Sequence, residues 1–202
     1  MCVGYQMALD GWPRAGGLLI LQICLGLRPG ELLAIRREDV VPGRPGLHNG
    51  NAVVALGRRF GTKAGRPQFV IVHAGEDSAA MALVSAFAAT TPPGAPLSSL
   101  DYSQYSRCMV YATRKWGVAS IGYSPHSPRA GWATQLRLSG VPFSGIQERG
   151  RWQTASALRI YLDAVAASTT LLHKTHSLIE FAQWIEADFV GRFPWWRQAP
   201  SA

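Results

Sequence analysis

Six residues spread along this 202-residue chain have side chains that could act together on a phosphate ester: Arg28, Glu31, His126, Arg129, Trp152 and Tyr161. Opening a phosphodiester without a metal needs cations on the non-bridging oxygens as negative charge develops there. Guanidinium groups hold such oxygens in a bidentate way, and Arg28 and Arg129 are the candidates. A phenol with pKa about 10 can attack phosphorus in line and later leave again, so Tyr161 suits a reversible covalent step. His126 can move a proton or bind phosphate. Trp152 can donate its indole N–H to a phosphate oxygen or pack beneath it. Taken singly, each has an ordinary structural reading, as a helix-end arginine, a capping histidine or a core aromatic. Only their order and spacing carry the argument.

These side chains must be held by elements that the sequence pattern predicts. Gly16 to Ile35 has Leu18, Leu21, Leu25, Leu32 and Ile35 at helical spacing, broken at Gly26 and at the Arg28-Pro29 step, so a second helix starts at Pro29. Residues 41–51 are rich in Pro and Gly and predict a loop. Ala52–Leu56 and Gln68–Val72 are β-branched runs flanking a basic tip, Gly57 to Pro67, as in a hairpin. Helices are expected over Ser78–Ala89, over Tyr102–Trp116, and from the Ser124–Arg129 segment to about Ser139. Pro142–Arg149 and Thr154–Ala166 read as two shorter ones. Thr169–Phe189 places Leu171, Thr175, Leu178, Ala182, Ile185 and Phe189 on one face, an amphipathic helix. The tail after Gly191 shows no pattern. The expected fold class is α+β, mainly α-helical with one small antiparallel sheet. The expected organisation is a single domain, 1–190, with a tail, 191–202.

Lys and Arg number 20 against 12 Asp and Glu, a formal charge of +8, and 17 of the 20 cations are Arg. No acid lies between Asp39 and Glu76, an interval holding Arg44, Arg58, Arg59, Lys63 and Arg66. None lies between Asp101 and Glu148, where Arg107, Arg114, Lys115, Arg129 and Arg137 stand. Such a distribution can form a positive face for a phosphate backbone. Cys2, Cys24 and Cys108 have neither CxxC nor metal spacing, which points to a reducing compartment. The apolar run Leu18–Leu27 is too short to span a bilayer, and no membrane association is expected. The absence of a carboxylate cluster fits a metal-free mechanism, and no cofactor is expected.

The motifs resemble those of the tyrosine recombinases, the phage-integrase family. Leu25-Gly-Leu-Arg-Pro-Gly-Glu-Leu-Leu-Ala-Ile35 is similar to the first family signature, T-G-L-R-x-x-E-L-x-x-L. His126-Ser-Pro-Arg129 with Ala133-Thr134 is similar to the second, H-x-L-R-H-x-x-A-T. The run from Gly150 through Trp152 to Tyr161 is similar to the third, in which a Gly and then a His or Trp precede the tyrosine. Trp152 lies nine residues before Tyr161, and His126 and Arg129 precede it by 35 and 32, intervals usual in the family. Three departures are visible. Pro128 replaces Leu, Ala130 replaces a frequent second His, and Arg151 separates Gly150 from Trp152.

The resemblance implies a tyrosine recombinase catalytic-domain fold acting on double-stranded DNA through a 3′-phosphotyrosyl intermediate. Tyr161 is then the nucleophile, Arg28, Arg129, His126 and Trp152 the phosphate-binding set, and Glu31 the acid supporting Arg28. A hairpin lysine would protonate the departing 5′ oxygen. Lys63 sits at such a tip, although Arg58, Arg59 or Arg66 could share its role. Arg58, Arg59, Arg66, Arg107, Arg114 and Lys115 are expected DNA contacts. The resemblance further implies recombination or integration by a mobile element, an intracellular, DNA-associated location (nucleoid or nucleus), and a tetramer on DNA joined through the C-terminal helix. Docking of that helix on its own core is an equal alternative. Arg28 lies so near the start that the family's upstream DNA-clamping domain has no room in this sequence, and weak DNA binding by the chain alone is expected. Sister chemistries are those of type IB topoisomerases and hairpin telomere resolvases. The alternative of another class is a catalytically inactive or domesticated DNA-binding module.

Overall fold

The computed structural model describes residues 1–44, 46, 48–57, 67–162 and 176–194. Lys63, Arg58, Arg59 and Arg66, and the expected helix face at Leu171 and Thr175, lie outside the described residues. Helices α1 (Cys2–Leu9) and α2 (Pro13–Leu25) form an antiparallel pair at the centre of the main core. Leu18, Leu21, Leu25, Leu32 and Ile35, the expected stripe, are all buried. Gly26 closes α2 with a φ of 59°, and α3 (Pro29–Leu33) begins at the predicted proline.

The sheet has three antiparallel strands in the order β1 (Val40–Val41), β2 (Ala52–Leu56), β3 (Gln68–Val72). β2 and β3 match the expected hairpin arms, with Val54 opposite Val70 and Ala55 opposite Phe69. The loop expected over 41–51 is corrected at its start, because Val41 pairs with Val53 as part of β1, and residues 48–50 form a 3-10 turn. Ala52, Val54, Leu56 and Val72 face the core, while Phe69 and Ile71 face outward.

Helices α4 (Ser78–Thr90) and α5 (Tyr102–Lys115) complete this layer, each capped by an aspartate, Asp77 and Asp101, that accepts from a first-turn N–H. Helix α6 (Ser127–Leu138) packs on α2 and carries a second, smaller apolar cluster with α7 (Phe143–Arg149) and α8, described over 155–162. That cluster centres on Ala133, Ile146, Trp152 and Leu158, with Trp132 and Tyr161 packed against it.

Helix α9 (His176–Ala187) and the single turn α10 (Phe189–Arg192) return to the first core. Ile185, Phe189 and Phe193 are buried there, and Tyr5 of α1 meets Phe181, Trp184 and Phe193 edge-on at 5.6–6.0 Å. The Tyr5 hydroxyl donates to the Arg192 carbonyl at 2.7 Å. The described C-terminal helix therefore docks on its own chain. The tail expected to be featureless after Gly191 still contributes core at Phe193 and Pro194. Among the described residues, no helix is long and apolar enough to cross a membrane.

Candidate active site at the seam of two clusters

The three signature segments meet where the larger core abuts the smaller one. A buried amide sets two of them. Gln22, fully buried in α2, donates through Nε2 to the Leu27 carbonyl at 3.1 Å and to the Pro125 carbonyl at 2.9 Å. Its Oε1 accepts from the Tyr105 hydroxyl of α5 at 2.9 Å. Those two carbonyls immediately precede Arg28 and His126, so one satisfied buried amide ties both loops to the core. Sequence reasoning passed over Gln22, although a lone amide inside the apolar run Leu18–Leu27 was a usable signal.

Arg28 caps α3. Its backbone N–H donates to Glu31 Oε2 at 3.0 Å, and its Nη1 donates to Glu31 Oε1 at 2.6 Å. Its Nη2 donates to the Arg151 carbonyl at 2.9 Å. Glu31 also pairs with Arg151 Nη2 at 2.7 Å. Burial raises the Glu31 pKa, but the Arg151 charge and the hydrogen bonds and charge of Arg28 outweigh it, and the net shift is downward.

Arg129 has no exposed surface. It leaves the first turn of α6, where Pro128 fits because no N–H is needed there. Its Nη1 donates to the Gly26 carbonyl and its Nη2 to the Gly150 carbonyl. Its guanidinium lies over the Trp152 ring, 4.0 Å from the centroid. Burial, then the charges of Arg28 and Arg151, push its pKa down to about 9, so it stays cationic at neutral pH. Both glycines are dictated by tryptophans. A Cβ on Gly26 would stand 2.5 Å from Trp132, and one on Gly150 would stand 1.7 Å from Trp152. The two indoles stack at 6.1 Å, and Tyr161 meets Trp152 edge-on at 5.5 Å. Trp152 thus packs beneath the arginine and beside the tyrosine.

His126 is exposed at the N-terminus of α6. Partial burial, then the charges of Arg129 and Arg28, lower its pKa and favour the neutral imidazole. Arg28, Glu31, His126, Arg129, Trp152 and Tyr161 are accordingly brought together. Arg107, Arg114 and Lys115 are exposed on α5 and make no described contact with that group. Lys115 is bonded to Asp10 and lies over the Tyr111 ring, 5.1 Å from its centroid.

Arg151, unassigned in the sequence, belongs to the site. Helix α7 ends with Arg151 N–H donating to the Glu148 carbonyl at 2.9 Å and Trp152 N–H donating to the Gln147 carbonyl at 3.0 Å, a Schellman closure. Arg151 occupies its left-handed position with a φ of 58°. The departure from the family pattern follows: the glycine is needed at 150 for the Trp152 ring, and the left-handed turn falls on the next residue.

This arrangement has the fold of the tyrosine recombinase catalytic domain. Among solved structures, the chain is similar to the XerH site-specific recombinase bound to a palindromic difH substrate in a post-cleavage complex, with a TM-score of 0.58 and 15% identity over 85% of this chain. The chain spans 51% of the length of that recombinase. No protein-family model matches the chain, and no curated protein sequence matches it.

Proposed function

We propose that this chain cuts and rejoins duplex DNA by the chemistry of a tyrosine recombinase. Tyr161 attacks a backbone phosphate, giving a 3′-phosphotyrosyl ester and releasing a 5′-hydroxyl. Attack by a 5′-hydroxyl of the same or a partner strand restores the phosphodiester and frees the phenol. The phosphotyrosyl ester keeps the energy of the original bond, so rejoining needs no nucleotide cofactor. Arg28 and Arg129 hold the non-bridging oxygens, neutral His126 accepts the phenolic proton as Tyr161 attacks, and Lys63 protonates the departing oxygen, both transfers reversing on rejoining. Arg58, Arg59, Arg66, Arg107 and Arg114 serve as backbone contacts.

The observation that carries this reading is the convergence of Arg28, Arg129 and Arg151 within contact or charge range of one another, with His126 in charge range of Arg28 and Arg129 and Tyr161 one ring away from Arg129 across Trp152. Three guanidiniums around a single carboxylate leave a net positive site, which suits a phosphate. Strand exchange between sites, integration of a mobile element, and a tetramer formed through the C-terminal segment belong to the same proposal.

One observation favours the second reading, a DNA-binding module without catalysis. Arg129 has no exposed surface, and each of its terminal nitrogens already donates one N–H to a carbonyl, so activity requires the packing around it to open before its remaining N–H groups can reach a phosphate. A nicked suicide duplex, drawn from a pool of random sequences at low salt, separates the two. Active protein gives a covalent protein–DNA adduct on a denaturing gel, and Tyr161→Phe gives none. DNA binding with no adduct from either protein would favour the silent module.

A further inference from the structure

We propose that Arg151 is a positioning residue for the phosphate-binding arginine Arg28, acting through Glu31 and through its own backbone carbonyl. The inference rests on the reading of the site as a phosphodiester centre, and it adds to that reading a residue that neither the motifs nor the comparisons single out.

Four observations converge on it. First, the backbone of Arg151 is left-handed, a conformation that an L side chain adopts at a steric cost and that glycine or asparagine usually fills. An arginine kept there calls for a compensating role. Second, the side chain is 90% buried, with 10% of its area exposed, so it is not a surface cation that happens to sit near a turn. Third, its Nη2 binds Glu31 at 2.7 Å, and Glu31 in turn holds both the backbone N–H and the Nη1 of Arg28. Fourth, the Arg151 carbonyl, turned by the same left-handed φ, accepts from Arg28 Nη2 at 2.9 Å. Side chain and main chain of one residue thus fix the two ends of the Arg28 guanidinium, one through a carboxylate and one directly.

The arrangement has a physical logic. Arg28 alone at the start of α3 would be a long, rotamer-rich side chain. Glu31 alone would hold it from one side, but a buried carboxylate with one cation is poorly compensated. Arg151 supplies the second cation from the far cluster, so the Glu31 charge is shared and Arg28 keeps positive charge for a ligand. The link also spans the seam: Arg28 and Glu31 belong to the larger core, while Arg151 belongs to the segment between α7 and α8 that carries Trp152 and leads to Tyr161 on α8. Fixing one against the other sets the distance between the phosphate-binding group and the nucleophile, where small misplacements are costly.

The test compares full-length wild type with Arg151→Gly and Arg151→Lys. Glycine suits the left-handed turn, so Arg151→Gly is expected to fold with a melting temperature close to wild type. Two readouts follow. The Glu31 carboxyl, followed by carbon-detected NMR titration, is expected to move to higher pKa in Arg151→Gly and to move less in Arg151→Lys. The single-turnover rate of adduct formation on a suicide duplex is expected to fall about tenfold to a hundredfold in Arg151→Gly, with duplex affinity changing far less. An unmoved Glu31 titration in a folded Arg151→Gly protein would overturn the proposal, as would an unchanged adduct rate. A wild type that forms no adduct, with a Glu31 titration that still shifts in the variant, would defeat the reading of function and leave the positioning link standing.

Discussion

Arg129 is the residue on which the site's stability turns, because its guanidinium is buried against the Trp152 ring and joins the Gly26 and Gly150 carbonyls. Arg129→Met should orphan both carbonyls and lower unfolding free energy by about 3 kcal/mol in urea denaturation. Lysine can reach one carbonyl at a time, so Arg129→Lys should fall between the two. The titrating neighbours set a pH dependence whose sign follows from the direction of each shift. Glu31 has a lowered folded pKa, so its contribution is present above the ordinary carboxylate value and is lost as pH falls through the folded one. His126 is lowered from 6.5, so between that value and the folded one the unfolded chain binds a proton that the native state refuses. Stability should therefore decline as pH drops below 6.5. Thermal melts across that range should show the slope in wild type and a flatter one in His126→Gln. At this scale the identities Arg28, His126, Arg129, Trp152 and Tyr161 were legible from type and spacing. Gln22 and Arg151 were not, because their importance lies in which carbonyl or carboxylate each reaches across the fold.

The elements differ in how far local pattern fixed them. α2, α3, β2 and β3 match their expected positions within a few residues, since proline, glycine and hydrophobic period act locally. The eight-residue α1 was not expected, and a helix that short gains its stability from the face it lays on α2 rather than from its own residues. β1 was missed for a similar reason: two residues become a strand only when a partner is placed beside them. Two glycines give opposite predictions for the elements around the site. Gly131 is exposed inside α6 with nothing within 4 Å of an added Cβ, so Gly131→Ala should raise stability by up to about 1 kcal/mol. Gly150→Ala puts a methyl into the Trp152 ring, and a loss of about 2 kcal/mol is expected as the indole is pushed from Arg129. Thermal melts of the two variants beside wild type check both signs at once.

At the scale of the molecule, the described C-terminal segment is part of the core, with Ile185, Phe189 and Phe193 buried against the Tyr5 side of α1. Deleting residues 176–202 should lower the melting temperature by roughly 10 °C, a consequence of uncovering several apolar side chains. A truncated chain that melts with wild type would show that this packing contributes little. The outer side of the same segment leaves Ile179, Trp184 and Val190 half exposed, and the proposed assembly on DNA would use that side. The sequence by itself determined the fold class, the hairpin and the positive charge, and it singled out the six residues that converge at the candidate site, because each is written in local period, composition or motif spacing. Only the tertiary structure decided that Arg129 is buried against an indole, that Glu31 is shared by two arginines, and that the C-terminal helix folds back on α1. Those outcomes depend on which buried donors and acceptors find each other between segments more than a hundred residues apart, as Arg28 and Arg151 do. Burial makes most such groups find a partner, and a linear pattern does not say which one.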